Sequence, residues 1–74
     1  MEWISVKDKL PEYTGTLYGN KITDVVLFTD SKDIYTGHLE SVRPDFINEY
    51  WTDYSDETVN NVTHWMPLPE LPKP

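Results

Sequence analysis

The 74-residue sequence contains no cysteine, so no disulfide can staple it, and a four-thiolate zinc site is excluded by inventory. Cations are scarce: six Lys and Arg stand against thirteen Asp and Glu, for a net charge of −7. That balance argues against direct binding of nucleic-acid phosphates, which depends on lysine and arginine. No apolar stretch approaches the roughly 20 residues that span a bilayer. No basic N-terminal segment leads into an apolar run either, so the expected setting is the cytoplasm, away from membranes. Histidine is limited to His38 and His64.

Aromatic residues are plentiful instead, with three Trp, five Tyr and two Phe. A chain this short buries only about 60% of the surface its unfolded form exposes, so large rings are needed to build a core. Trp3, Phe28, Trp51 and Trp65 are the expected core aromatics. A homo-oligomer that covers further rings is a second possibility that composition leaves open. The charge is concentrated in the middle. Nine acids between Asp24 and Glu57 face only Lys32 and Arg43, so this segment carries the whole net charge and the two ends balance.

Periodicity predicts a mainly β single domain over residues 1–74, a small antiparallel sheet of about four short strands arranged as a meander or half-open barrel. Ser5 with Asp8 suggests at most one short helical turn, which Pro11 terminates. Thr14 to Asn20, with two glycines, reads as a loop. Val25 to Thr29 is β-branched and aromatic on both faces, as in a strand buried on two sides. Asp30 to Asp33 are turn formers, and Ile34 to Glu40 completes a hairpin. Within that second strand Tyr35, Gly37 and Leu39 share a face, with Gly37 marking a bulge or a close approach. Ser41 to Glu49 is expected to be a loop with Phe46 and Ile47 folded back as a cover. Tyr50 to Tyr54 gives a third strand, Ser55 to Asn61 a polar loop, and Val62 to Met66 a fourth strand that stops at Pro67. Residues 67–74 form a Pro-rich C-terminal segment. It reads either as a strap across the sheet or as a polyproline ligand for a partner, and the strap is the simpler reading.

The segments "WISVKDKLPE" at Trp3 to Glu12 and "VTHWMPLPELP" at Val62 to Pro72, with "VVLFTD" and "IYTGHLE" between them, resemble the phage and prophage family known as domain of unknown function 551 (DUF551). The resemblance covers almost the whole chain, departing in Ser41 to Asp56. It implies a bacterial host cytoplasm and brings no assigned catalytic residues. It also favours the strap, because the closing motif would then belong to the domain's own signature. The triplet Leu-Pro-Glu occurs at Leu10 to Glu12 and again at Leu68 to Glu70, so both ends are expected to clasp one sheet.

Catalytic chemistry has little to work with. His38 and His64 could share a metal with Asp53 or Asp24 if their strands were neighbours, but no ligand spacing is diagnostic. The serines lie in turns away from any base, and the paired carboxylates read as solvated turn residues. No cofactor and no metal are expected. Aromatic density beside acids is more informative: Asp33, Tyr35, Glu49, Tyr50, Asp53 and Tyr54 are the candidate binding residues, since tyrosine and tryptophan are enriched in interfaces. Three functions follow. The first is a non-enzymatic protein that binds a basic surface on a protein partner, such as a nucleic-acid-binding or defence protein. The second is an oligomeric small-molecule binder, such as a sponge for a nucleotide signal. The third is a metal-assisted hydrolase.

Overall fold

A computed structural model describes residues 2–69. The described chain is all strand, turn and loop, with eight strands in one antiparallel sheet. They are β1 (Ile4–Ser5), β2 (Tyr13–Leu17), β3 (Asn20–Thr23), β4 (Val26–Thr29), β5 (Ile34–Val42), β6 (Asn48–Asp53), β7 (Thr58–Val59) and β8 (His64–Pro67). The mainly β expectation holds, while the strand count is twice the four expected. The four strands read from the sequence correspond to β4, β5, β6 and β8, each within two residues of its expected start. The short strands β1, β2, β3 and β7 were not foreseen.

The long strand β5 organises the sheet. Strands β4 and β3, consecutive in the chain, lie end to end along one side of it. Val26 to Thr29 pair with Gly37 to Ile34, while Lys21 and Ile22 pair with Ser41 and Glu40. Strand β6 takes the other side, from Gly37↔Asp53 to Val42↔Asn48. Outside these lie β8 on β4, β1 on β8, β2 on β3 and β7 on β6. The sheet curls into a half-barrel rather than running as a meander, because β8 returns to β4 and not to β6. The expected clasp is present: β1 pairs with β8 through Ile4↔Trp65 and Ser5↔His64, so the two end motifs share one edge.

Gly37 is where three strands meet. Its Cα faces Val26 on one side and Asp53 on the other. A Cβ there would collide with the Thr52 carbonyl and lie 2.8 Å from Asp53 Cα, so the expected close approach is real. Thr14 to Asn20 is a hairpin and not a loop. Tyr18 and Gly19 carry φ of 51° and 84°, the paired positive values of a two-residue turn whose twist matches the flanking strands. The N-terminal turn is present as one turn, with Asp8 and Lys9 amides donating to the Ser5 carbonyl.

The buried hydrophobic residues are Val26, Phe28, Leu39, Trp65 and Met66, and Ile4, Val6, Tyr35, Trp51, Val59 and Val62 pack against the cluster of Val26, Phe28 and Trp65. Phe28 is wholly buried, stabilising the fold by about 3 kcal/mol on area grounds. Its ring lies 4.9 Å from Trp51 and 5.6 Å from Tyr35, centroid to centroid. Trp3 is a correction, because it is 39% exposed. Ile4 and Val6 take the inward positions of a period-two strand, which turns Trp3 and Ser5 the other way. The two-sided burial expected of the Val25 strand is also only partial, since Val25 is half exposed and Leu27 half-buried. In the β5–β6 connection Phe46 covers as expected, with Lys21 Nζ 4.6 Å from its ring, but Ile47 is 75% exposed. Of the Pro-rich segment, Pro67 is the last residue of β8 and Leu68 and Pro69 follow, while residues 70–74 lie outside the described residues.

Candidate functional site

Two turns build one end of the half-barrel. Between β4 and β5, Asp30 Oδ1 accepts from the amides of Lys32 and Asp33 at 3.0 Å, and Thr29 Oγ1 donates to the Asp33 carbonyl at 2.7 Å. These bonds let Asp, Ser and Lys form a tight turn in which Ser31 takes φ of 80°. Beyond β6, Asp53 Oδ1 accepts from the amides of Ser55 and Glu57 at 2.9 and 3.0 Å, and the Asp53 amide donates to the Glu57 carbonyl. Asp53 thereby folds residues 54–57 back toward β7 and fixes where Tyr54 emerges.

Between these turns lies an open groove of about 440 Å³, lined by Ile34, Tyr35, Thr36, Asp53, Tyr54 and Ser55. Tyr54 is 89% exposed and Ile34 65%. Tyr35 is half-buried: its ring stacks on Phe28, while its hydroxyl donates to Asp30 Oδ2 at 3.2 Å. Partial burial, the Asp30 hydrogen bond, and then the charges of Asp30, Asp33 and Asp53 push the Tyr35 phenol above its usual range. Asp30 shifts the opposite way, because the Asp33 and Lys32 amides stabilise its carboxylate. The groove thus sets Ile34, Tyr35 and Tyr54 beside the Asp53 carboxylate, with Asp30 and Asp33 close to Tyr35.

Of the six candidate residues, Asp33, Tyr35, Asp53 and Tyr54 gather at this end. Glu49 and Tyr50 do not. Glu49 accepts a hydrogen bond from the Tyr13 hydroxyl of β2, and burial, followed by that bond, drives the phenol strongly upward. Tyr50 lies opposite Glu40 on the outer face of β5 and β6. Ile34 and Asp30 were missed. Ile34 reads as an ordinary strand residue, but it lies on the exposed face of β5, beyond the Gly37↔Asp53 pair at which β6 ends.

A second groove, of about 360 Å³, lies where the N-terminal segment meets β8, and it contains none of the expected binding residues. Its lining includes Pro11, Val25, Trp65, Pro67 and Leu68, beneath Lys9, Glu12 and Asp24. The repeated Leu-Pro-Glu triplets were the available signal, since Pro11 and Leu68 meet there. Trp65 Nε1 donates to the Lys9 carbonyl at 2.7 Å, which ties the N-terminal segment to β8.

The premise of a shared histidine site is not met. Strands β5 and β8 flank β4 on opposite sides, with His64 level with Thr29 and Ile34. His38 is therefore two strand spacings across and four residues along, roughly 16 Å over the sheet surface. His38 instead pairs with Glu40 at 3.2 Å, and His64 Nδ1 meets Thr63 Oγ1 at 3.0 Å. Among the described residues no group of three or more His, Asp or Glu side chains is disposed to hold a metal ion. Nor is any helix there long and apolar enough to cross a membrane.

The family described as "Protein of unknown function (DUF551)" matches residues 2–73, nearly the whole chain, and the chain belongs to that family. No curated protein and no solved structure matches it.

Proposed function

We propose that this DUF551 protein is a non-enzymatic binding module that docks on a basic surface of a protein partner through the end formed by Asp30, Asp33, Ile34, Tyr35, Asp53 and Tyr54. One observation carries the reading. Exposed Tyr54 and Ile34 stand beside Asp53, with Asp30 and Asp33 close to Tyr35, and the only ion pair among the described residues, His38–Glu40, lies farther along β5. Carboxylates left free of Lys and Arg raise the local negative potential, which speeds encounter with a cationic surface. The neighbouring rings supply the desolvated contact that holds it, and tyrosine can also face a lysine or arginine head group. Nucleotide binding gains little support here, because phosphates entering this groove would meet carboxylates, and Lys32 in the β4–β5 turn is the one cation close in sequence to the residues of this end. A bacterial host cytoplasm is the setting in which we place the partner.

The test is affinity capture from a bacterial extract at low and at high salt, with the Tyr54→Ala protein in parallel. The expected result is one stoichiometric partner retained by the native protein at low salt, reduced at least about tenfold at high salt, and lost with Tyr54→Ala. A partner retained equally by both proteins at both salt concentrations would contradict the reading.

A further inference from the structure

Strand β2 closes the sheet on one side, and among the described residues it pairs only with β3. Edge strands are usually protected by charge, proline or shortness. The other outer strands comply: β1 and β7 are two residues each, the first closely followed by Lys7 and the second preceded by Glu57. Strand β2 does not. From Tyr13 to Tyr18 there is no charged residue and no proline, Leu17 is 38% exposed and Tyr18 86%. Lys21 is the one charge between Tyr13 and Thr23, in a molecule of net charge −7. A second copy can therefore approach this edge without meeting the acidic end.

The hairpin geometry says which groups are free. Leu17 and Asn20 close the two-residue turn and direct their backbone groups at each other. By alternation Thr16 turns its N–H and C=O away from β3. We infer that β2 is a self-association edge, pairing antiparallel with β2 of a second copy about a twofold axis at Thr16. The two Thr16 residues then exchange both N–H···O bonds. That register sets Leu17 of each chain opposite Gly15 of the other. Gly15 needs no positive φ, and a Cβ on it would meet nothing closer than 3.7 Å, so neither conformation nor packing within the chain requires glycine. Opposite Leu17 of a second copy its small size has a use. A bulge at Thr14 ends the regular ladder, so the contact is short and the dimer weak and reversible.

The inference is independent of the function proposed above and responds to salt in the opposite sense. Sedimentation velocity across a wide concentration range, with amide exchange measured by NMR, tests it. The expected result is a mass that rises toward twice that of the chain with concentration, more readily at high salt because like charges are screened. Exchange at the Thr16 amide should slow by about tenfold or more as the dimer fills. Thr16→Pro removes an N–H that has no partner among the described residues, so it should stay monomeric with an unchanged melting temperature. Thr16→Lys, which leaves the backbone untouched, should weaken the dimer through two facing cations. A mass equal to the monomer at every concentration, a dimer that dissolves in high salt, or one that both variants retain would overturn the inference.

Discussion

Gly37 shows how one residue sets the shape of this molecule. Because it has no Cβ, β6 crosses β5 at contact distance, and the Thr52 carbonyl occupies the space a side chain would need. Gly37→Ala must push two backbones apart at the point where β4, β5 and β6 meet. It is expected to cost about 3 kcal/mol or more, against a total of about 4–11 kcal/mol for a domain of this size. A thermal melt should show a fall of at least about 10 °C. An unchanged midpoint would mean that the close approach is not a feature of the folded protein. The sequence made this residue visible, since a glycine inside an aromatic strand has few other reasons to be there. Trp3 was not legible in the same way, because composition ranks a tryptophan as core and only the phase of β1 reveals that Ile4 and Val6 hold the inner positions.

At the level of elements, the β4–β5 hairpin was readable because its turn is made by side-chain chemistry. Asp30 accepts two backbone amides, an interaction that selects Asp over most residues. Those bonds hold the Asp30 carboxyl below its ordinary value of 3.8. The stabilisation is accordingly complete above 3.8 and fades as pH falls below 3.8 through the lower folded value. Melting curves between about pH 2 and pH 6 should therefore differ between the native protein and Asp30→Asn. The native protein should lose its advantage over the variant as the pH falls, and curves separated by a constant interval would rule out this coupling. The β2–β3 hairpin escaped detection for the opposite reason. Tyr13 to Leu17 is largely exposed, so no apolar alternation marks it, and its turn uses Tyr18 in a positive-φ position that sequence pattern assigns to Asn or Gly. Strand β7 was hidden likewise, its two residues being recruited by Asp53 and the turn that follows.

Over the whole molecule, the curl of the sheet converts a diffuse acidic segment into an end with a defined groove. The sequence located the charge and the tyrosines. It did not show that Glu49 and Tyr50 would part from Asp33, Tyr35, Asp53 and Tyr54, because the β5–β6 register decides that, setting Glu49 and Tyr50 opposite Ser41 and Glu40 but Asp53 opposite Gly37. The histidines were separated by strand order, since β4 lies between β5 and β8. The most direct measurement is an NMR titration of the labelled protein with a short lysine- and arginine-rich peptide, at low and at high salt. The account predicts amide shifts concentrated at residues 30–36 and 53–57, reduced when salt screens the carboxylates and absent from the second groove around Val25 and Leu68. Shifts centred on residues 40–50 or on the second groove, or none at all at low salt, would contradict it.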